Sequence, residues 1–331
     1  MSGQVLITGG AGFIGYHLAK KLAVSGYIVH LVDNYARGAR DSDLKILLEK
    51  FKVTLTEVDL LDREAVLNLE SNYDIIVHLG AIIGVKNVLD RPYEVIVHNT
   101  QMLDNVIALA RRQSDLSRLL FASTSEVYAG TLKHFTLAVP TPESVALTVT
   151  DLSAPRTSYM LSKIMGEAML QQAEIPFTII RPHNIYGPRM GMAHVIPEQL
   201  KQAFYAKIGT RLNVYSPQHT RAFCYIDDAV GMIKRMLESD LCIGETLNLG
   251  NQSSELSIRE LVEICITVSG KDLGIKELQA TVGSPVRRAP DMRRTEEILN
   301  VSPKVALQEG INRTWQWYKK NVFENDERTK R

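Results

Sequence analysis

QVLITGGAGFIGYHLAKKLAVSG (4–26) begins as an apolar, β-branched run and ends as a helix closed by a glycine. QVLIT (4–8) suits a buried strand, and FIGYHLAKKLAVSG (13–26) has helical spacing with Gly26 as its stop. The joint between them is TGGAGFIG (8–15). Gly10, Gly12 and Gly15 form GxGxxG, while Gly9, Gly12 and Gly15 give the related GxxGxxG spacing. Without Cβ atoms the backbone can turn sharply and approach a pyrophosphate held at the helix N-terminus. The motif alone is weak; its place between a first strand and a first helix makes it specific. Gly9, Gly12, Phe13, Ile14 and Gly15 are therefore the first cofactor-binding candidates.

The next strand, YIVHLVD (27–33), carries an acid at its end. Asp33 lies about 20 residues beyond the glycines, where a carboxylate can bind the adenosine ribose hydroxyls. It favours NAD over NADP, since a 2′-phosphate would meet a negative charge; Arg37 stands close enough to moderate that preference. Asn34 follows it. Asp59 ends VTLTEVD (53–59), placed to touch the adenine with Leu60 beside it, or to cap a helix at the surface.

DIIVHLG (74–80), RLLFAST (118–124) and PFTIIRP (176–182) read as further strands. PYEVIVHNTQMLDNVIALARRQ (92–113) is a helix with proline in its first turn. Apolar strands alternating with helices predict a doubly wound parallel sheet of the Rossmann kind. After about residue 180 the chain becomes richer in Gly, Pro and polar turns, and RAFCYIDDAVGMIKRMLE (221–238) reads as a strand feeding a helix. The expected division is a nucleotide-binding domain over 1–180, with about 218–250 returning to it. A smaller, chain-interleaved substrate domain would occupy 181–325. ENDERTKR at the C-terminus reads as frayed.

With 331 residues, 45% hydrophobic and 23% charged, the chain has the composition of a soluble globular protein. A formal net charge of +1 offers nothing to nucleic acid or to a membrane surface. No apolar run approaches a spanning length. Three scattered cysteines, without CxxC, and eight histidines, without HExxH, argue against a disulfide framework or a metal site. The expectation is a cytoplasmic protein with no metal.

Two segments carry chemistry. RLLFASTSEVYAG (118–130) ends a strand in hydroxyls and one carboxylate, and strand C-termini at a switch point are where ligands sit. Thr124, Ser125 and Glu126 are placed there. TSYMLSK (157–163) puts Tyr159 and Lys163 four apart, on one helix face. A tyrosine acts as a base only if its pKa falls from about 10 towards neutrality; roughly 3 units correspond to about 4 kcal/mol favouring the phenolate. Lys163 and a cationic nicotinamide are suitable sources, and Thr124 can hydrogen-bond the same substrate oxygen. Deprotonating a sugar hydroxyl while hydride leaves its carbon gives a ketone.

TGGAGFIG, Asp33, HLGA (78–81), STSEVY (123–128), YMLSK (159–163), RPHNIYGPR (181–189) and RAFCYIDD (221–228), in that order, resemble the extended short-chain dehydrogenase/reductase superfamily. More narrowly they resemble its NAD-dependent sugar-nucleotide epimerase/dehydratase branch. The resemblance implies Tyr159 as base, Lys163 as its electrostatic partner and nicotinamide-ribose ligand, and Thr124 as substrate-oxygen donor. It places Leu79, Ala81 and Asn99 along the cofactor. Two departures are Gly80 where alanine is usual, which would loosen cofactor packing, and Ala129 where glycine is usual, which would reshape the active-site loop.

For the nucleotide-diphosphate sugar, the resemblance points to Asn184, Arg221, Arg287 and Arg288 near phosphate. Tyr215 would lie beside a base or, equally, pack as a core aromatic, and Val195 with Ile196 would lie beside a uracil; UDP is favoured. His183 and His194 are expected to be structural. A 4-keto sugar can be reduced on its other face, lose water, or lose a carboxylate as carbon dioxide. Ser125 stands where the family's deoxythymidine-sugar dehydratases have aspartate, while Glu126 remains. No separate basic residue demands a uronic acid, so 4-epimerisation is placed first, with 4,6-dehydration and UDP-glucuronate decarboxylation as alternatives. A non-catalytic NAD-binding sensor is the remote one, since Tyr159, Lys163 and Thr124 are all kept. The resemblance also implies a homodimer through helices around 92–112 and 155–174.

Overall fold

A computed structural model describes residues 3–70, 72–135, 137–280 and 284–325. Seven parallel strands form the central sheet. Six are β1 (Gln4–Thr8), β2 (Ile28–Asp33), β3 (Val53–Glu57), β4 (Ile75–His78), β5 (Arg118–Ala122) and β6 (Phe177–Pro182). The seventh, Glu245–Leu249, comes from far along the chain and pairs with β6. From that edge the order runs Glu245–Leu249, β6, β5, β4, β1, β2, β3. The chain reverses direction across the sheet between β1 and β4, which opens a crevice at their carboxyl ends. There Thr8 Oγ1 bonds His78 Nδ1 at 2.7 Å, joining the two strands.

The strands read as continuous apolar runs because both faces are covered. One face packs helix α1 (Phe13–Val24) and helix Ile226–Glu238, and its core continues into the second lobe through Leu200, Leu212 and Trp315. The other face buries Leu103, Val106 and Leu170, from helices Pro92–Ala110 and Thr157–Gln171. Segment 226–249 thus supplies a helix and a strand to the nucleotide-binding layer after the chain has left it.

The second lobe is built from short pieces. Arg211–Tyr215 pairs in parallel with Gly274–Leu278. Thr220–Ala222 lies between Glu255–Ser257 and Arg287–Arg288. This last pairing sets Arg288 opposite Arg221 in register, two cations separated by 67 residues of chain. No helix among the described residues is long and apolar enough to cross a membrane. Cys224, Cys242 and Cys265 are buried free thiols.

Candidate active site

The glycine loop takes the shape its composition requires. Gly9 has φ +67°, a left-handed conformation, and a Cβ there would lie 2.9 Å from the Gly80 amide nitrogen. A Cβ on Gly15 would strike the Gly9 carbonyl oxygen and stand 2.8 Å from Gly10 Cα. Helix α1 begins at Phe13 with no side-chain cap on its first turn, so the Phe13, Ile14 and Gly15 amides are presented to the cleft. Asp33 is buried; its carboxylate accepts from the Ala11 amide at 3.0 Å and the Tyr35 amide at 2.8 Å. Burial raises its pKa, while those two amides and Arg189 draw it down. A narrow glycine cradle, first-turn helix amides that no described side chain caps and a buried strand-end acid fit an NAD pyrophosphate and ribose.

The remaining cofactor candidates line the same side. Asn99 accepts from the Ile82 amide at 2.7 Å and donates to Ser162 Oγ at 3.2 Å, tying the segment after Leu79 and Ala81 to the helix bearing Tyr159. Leu60 is buried, and Asp59 is exposed with its carboxylate on the Leu61 amide. Asn34 likewise receives the Ala36 amide at 3.0 Å. A Cβ at Gly80 would meet Leu60 Cδ1 at 2.8 Å, so the space an alanine would fill is occupied by Leu60. Ala129 begins an ordinary helical turn; the position that tolerates no Cβ is Gly130, which presses on the Thr148 carbonyl.

Beyond β5 the chain turns through Thr124 into a short helical turn, Ser125–Tyr128. Thr124 and Ser125 are buried, and Thr124 Oγ1 accepts from the Glu126 amide at 3.2 Å. Tyr159 faces this turn. Burial pushes its phenol up to about 12 and Glu126 adds to the rise, while a hydrogen bond with Thr124 and the Arg37 charge lower it. Lys163 donates to the Ala122 carbonyl at 2.7 Å and stands 5.9 Å from the Tyr159 ring centre. Burial brings its pKa down to about 7, opposed by Glu167. The Lys163 ammonium is turned to a backbone carbonyl, and the charge that lowers the phenol is that of Arg37.

Sequence reasoning missed what lies one turn further. Glu167 receives Arg181 in a two-pronged pair, at 3.0 and 2.6 Å, and Ser123 bonds the same carboxylate. Arg181 also donates to Tyr128 Oη at 2.9 Å, and Tyr128 donates to Asn248. All these side chains are buried. The spacing Tyr159–Lys163–Glu167, at i, i+4 and i+8 on one helix face, was the available signal.

The substrate candidates divide. Asn184 and Val195 line one pocket with Met190, His194, Ile196 and Phe223, and the Asn184 amide donates to the Ala222 carbonyl at 3.0 Å. Arg221 donates to the Thr220 and Pro285 carbonyls and Ser284, at 2.7–2.8 Å. Arg288 Nη1 meets Glu126 Oε1 at 2.6 Å, and its Nε is buried without an acceptor among the described residues. Arg287 is held by Glu255 at 2.6 and 2.8 Å and by the Val139 carbonyl, outside the cluster. Tyr215 is 57% exposed at a strand end, not stacked in the pocket. His183 is buried against Asn248, with its pKa brought down to about 3 by burial. Among the described residues no group of three His, Cys, Asp or Glu side chains is arranged to hold a metal.

A dinucleotide cradle facing a Thr–Tyr–Lys constellation at a sheet's switch point defines an NAD-dependent oxidoreductase-type site. Residues 5–250 match the NAD dependent epimerase/dehydratase family, and the chain belongs to it. It is 33% identical to UDP-glucuronic acid decarboxylase 1 of Xenopus tropicalis, over 96% of this chain and 73% of that protein. It is 31% identical to UDP-N-acetyl-alpha-D-glucosaminuronate decarboxylase of Bacillus cytotoxicus, over 98% of this chain and all of that one. The structure of UDP-glucuronic acid 4-epimerase from Bacillus cereus, in complex with UDP-glucuronic acid and NAD, superposes with a TM-score of 0.79. The two are 25% identical, and the match covers 96% of this chain and 99% of that one.

Proposed function

We propose that this enzyme decarboxylates a UDP-linked hexuronic acid through a transient 4-ketone. One observation carries the choice among the family's outcomes: Arg288 stands beside Glu126, on the Tyr159 side of the cleft, with a donor to spare. Both relatives above bear names of uronate decarboxylases. The sequence alone set Arg288 among phosphate ligands and put epimerisation first. The pairing of its strand with Thr220–Ala222 and its contact with Glu126 support reading that guanidinium as a ligand for the C6 carboxylate.

When bound, NAD would supply a cationic ring and a reversible hydride acceptor. Tyr159 takes the C4 hydroxyl proton, and Thr124 holds that oxygen. The product of this oxidation is a β-keto acid. The C5–C6 electron pair flows towards the C4 carbonyl, carbon dioxide leaves, and C5 takes up a proton from the side of Glu126 and Ser125. Tyr159 then gives its proton back to the C4 oxygen as the ketone is reduced. The net change is one proton consumed and one carbon dioxide released, with no net redox. Lys163 and Asn99 hold the ribose side and the helix; Asn184, Val195 and Arg221 hold the nucleotide diphosphate. Dehydration is disfavoured because Ser125 offers no carboxylic acid for a departing hydroxyl.

Incubating the protein with UDP-glucuronate, UDP-N-acetylglucosaminuronate, UDP-glucose and a dTDP-hexose, and following product mass, decides the matter. Loss of carbon dioxide from a uronate supports the reading. Unchanged mass with inverted C4 returns the epimerase, and loss of water returns the dehydratase. We further propose a homodimer in the cytoplasm. Ile96, Val97, Thr100, Met165 and Met169 form an open apolar groove on helices Pro92–Ala110 and Thr157–Gln171. A light-scattering mass of one chain would exclude the dimer.

A further inference from the structure

We propose that Arg189 is a positioning residue for the dinucleotide, one that holds the Ala11–Gly12 peptide of the glycine loop in its orientation. The role rests on the NAD reading of that loop. Arg189 lies far along the chain, between the pocket residues Asn184 and Val195. It packs on the cofactor half nonetheless. His17, on α1, donates to the Pro188 carbonyl at 2.9 Å, and the Arg189 guanidinium carbon stands 4.2 Å from the Tyr16 ring centre. Arg189 Nε donates to Asp41 at 2.7 Å, and the other Asp41 oxygen caps helix Ser42–Lys50 through the Leu44 amide at 2.9 Å. Nη2 reaches the Ala39 carbonyl at 3.3 Å and the Ala11 carbonyl at 3.5 Å.

The Ala11–Gly12 peptide is thereby held at both polar atoms. Its carbonyl accepts from the Ala39 amide at 3.3 Å as well as facing Arg189, and its N–H, that of Gly12, donates to the Gly9 carbonyl at 3.1 Å. The peptide before it is fixed by the Ala11 amide on Asp33 at 3.0 Å. Arg189 acts there too: burial raises the Asp33 pKa, and the Arg189 charge opposes that rise together with the Tyr35 and Ala11 amides. With these two planes set, the Phe13 and Ile14 amides are the groups offered to a diphosphate. A peptide plane is rigid, so releasing the Ala11 carbonyl frees the whole plane to turn its oxygen, rather than an N–H edge, towards an anion.

Stability alone does not account for this placement. Arg189 has φ +67°, a left-handed backbone that costs a residue with a Cβ and persists only where its surroundings enforce it. Its side chain is 3% exposed, and the buried Nη1 has no acceptor among the described residues. Arg118 provides the comparison. It is equally buried, likewise leaves one nitrogen unpaired, and ties the Met236 and Ser239 carbonyls. But it begins β5, at the end of the sheet opposite the crevice, and touches nothing of the glycine loop.

The test is titration calorimetry on protein freed of nucleotide, with thermal melting of the same samples, for Arg189→Met, Arg189→Lys and the control Arg118→Met. NAD, ADP-ribose, adenosine and UDP are the probes. Arg189→Met should weaken NAD and ADP-ribose by roughly ten-fold or more, with adenosine and UDP unchanged within about two-fold. Lysine keeps the charge for Asp41 but is a point donor that cannot also span two carbonyls. Arg189→Lys should therefore regain melting temperature while most of the NAD loss remains. Arg118→Met should lower the melting temperature and leave NAD affinity alone. Unaltered NAD affinity in a folded Arg189→Met protein overturns the proposal. So does a loss shared equally by UDP or reproduced by Arg118→Met, which would make Arg189 a packing residue. Full recovery of affinity by lysine overturns it as well, by assigning the effect to charge alone. If the unaltered protein binds neither NAD nor ADP-ribose, the cofactor reading itself falls.

Discussion

Replacing Arg288 by methionine separates the two places in which this arginine can act. The side chains of Arg288 and Glu126 are 16% and 44% exposed, so their pair is partly solvated. Pairs of that kind contribute about 1 kcal/mol or less. Arg221 lies in register beside Arg288 and is relieved of a like charge by the change. The melting temperature should therefore move by no more than about 3 °C. Turnover should respond far more strongly. A charged hydrogen bond to a reacting carboxylate contributes up to about 3 kcal/mol, which is roughly a hundred-fold in kcat/KM. The assay is carbon dioxide release from a UDP-uronate, run beside calorimetric binding of UDP. A hundred-fold fall in decarboxylation with UDP affinity unchanged is the expected pattern. Full decarboxylation by Arg288→Met would refute the reasoning. Loss of UDP binding in step with turnover would also do so, since it would return Arg288 to the phosphates.

Tyr159→Phe should abolish turnover on every sugar nucleotide while leaving NAD affinity within about two-fold; measurable turnover would exclude the assigned base. Glu167→Gln strands the buried Arg181 guanidinium and should cost about 3 kcal/mol or more in urea unfolding, and a loss under about 1 kcal/mol would show the pair to be incidental. Gly15→Ala places a methyl against the Gly9 carbonyl and should lower NAD affinity by at least about ten-fold, read by fluorescence titration of NADH. Lys163 has its pKa lowered from 10.5 to about 7 by burial, so the unfolded chain binds the extra proton across that interval. Stability of the nucleotide-free protein should rise as pH climbs from about 7 to 10, and Lys163→Met should flatten the rise; an unchanged slope in the variant would assign it to other groups.

The linear chain was enough to predict the cofactor and the family of enzyme. A glycine loop is a local object: which residues lack Cβ, and where they fall between strand and helix, is written in consecutive positions. The Tyr159–Lys163 pair is local too, because helical spacing alone puts both on one face. Asp33 needed only its place at a strand end.

The contact on which the proposed decarboxylation rests is not local. Arg288 reaches Glu126 only because the short strand Arg287–Arg288 pairs with Thr220–Ala222, and no spacing rule connects residues 162 apart. The same pairing points Arg287 outward to Glu255, so two adjacent arginines of equal promise in the sequence part company. Glu167 shows its partner only when β6 brings Arg181 beneath the helix. Tyr159 is the sharpest case. Its spacing to Lys163 puts the two on one helix face, yet ionisation depends on burial and on distance in three dimensions, and packing turns the ammonium to the Ala122 carbonyl. Short-range order follows from backbone geometry and can be read from neighbours in the chain, whereas charge placement in the cleft depends on which distant strands pair.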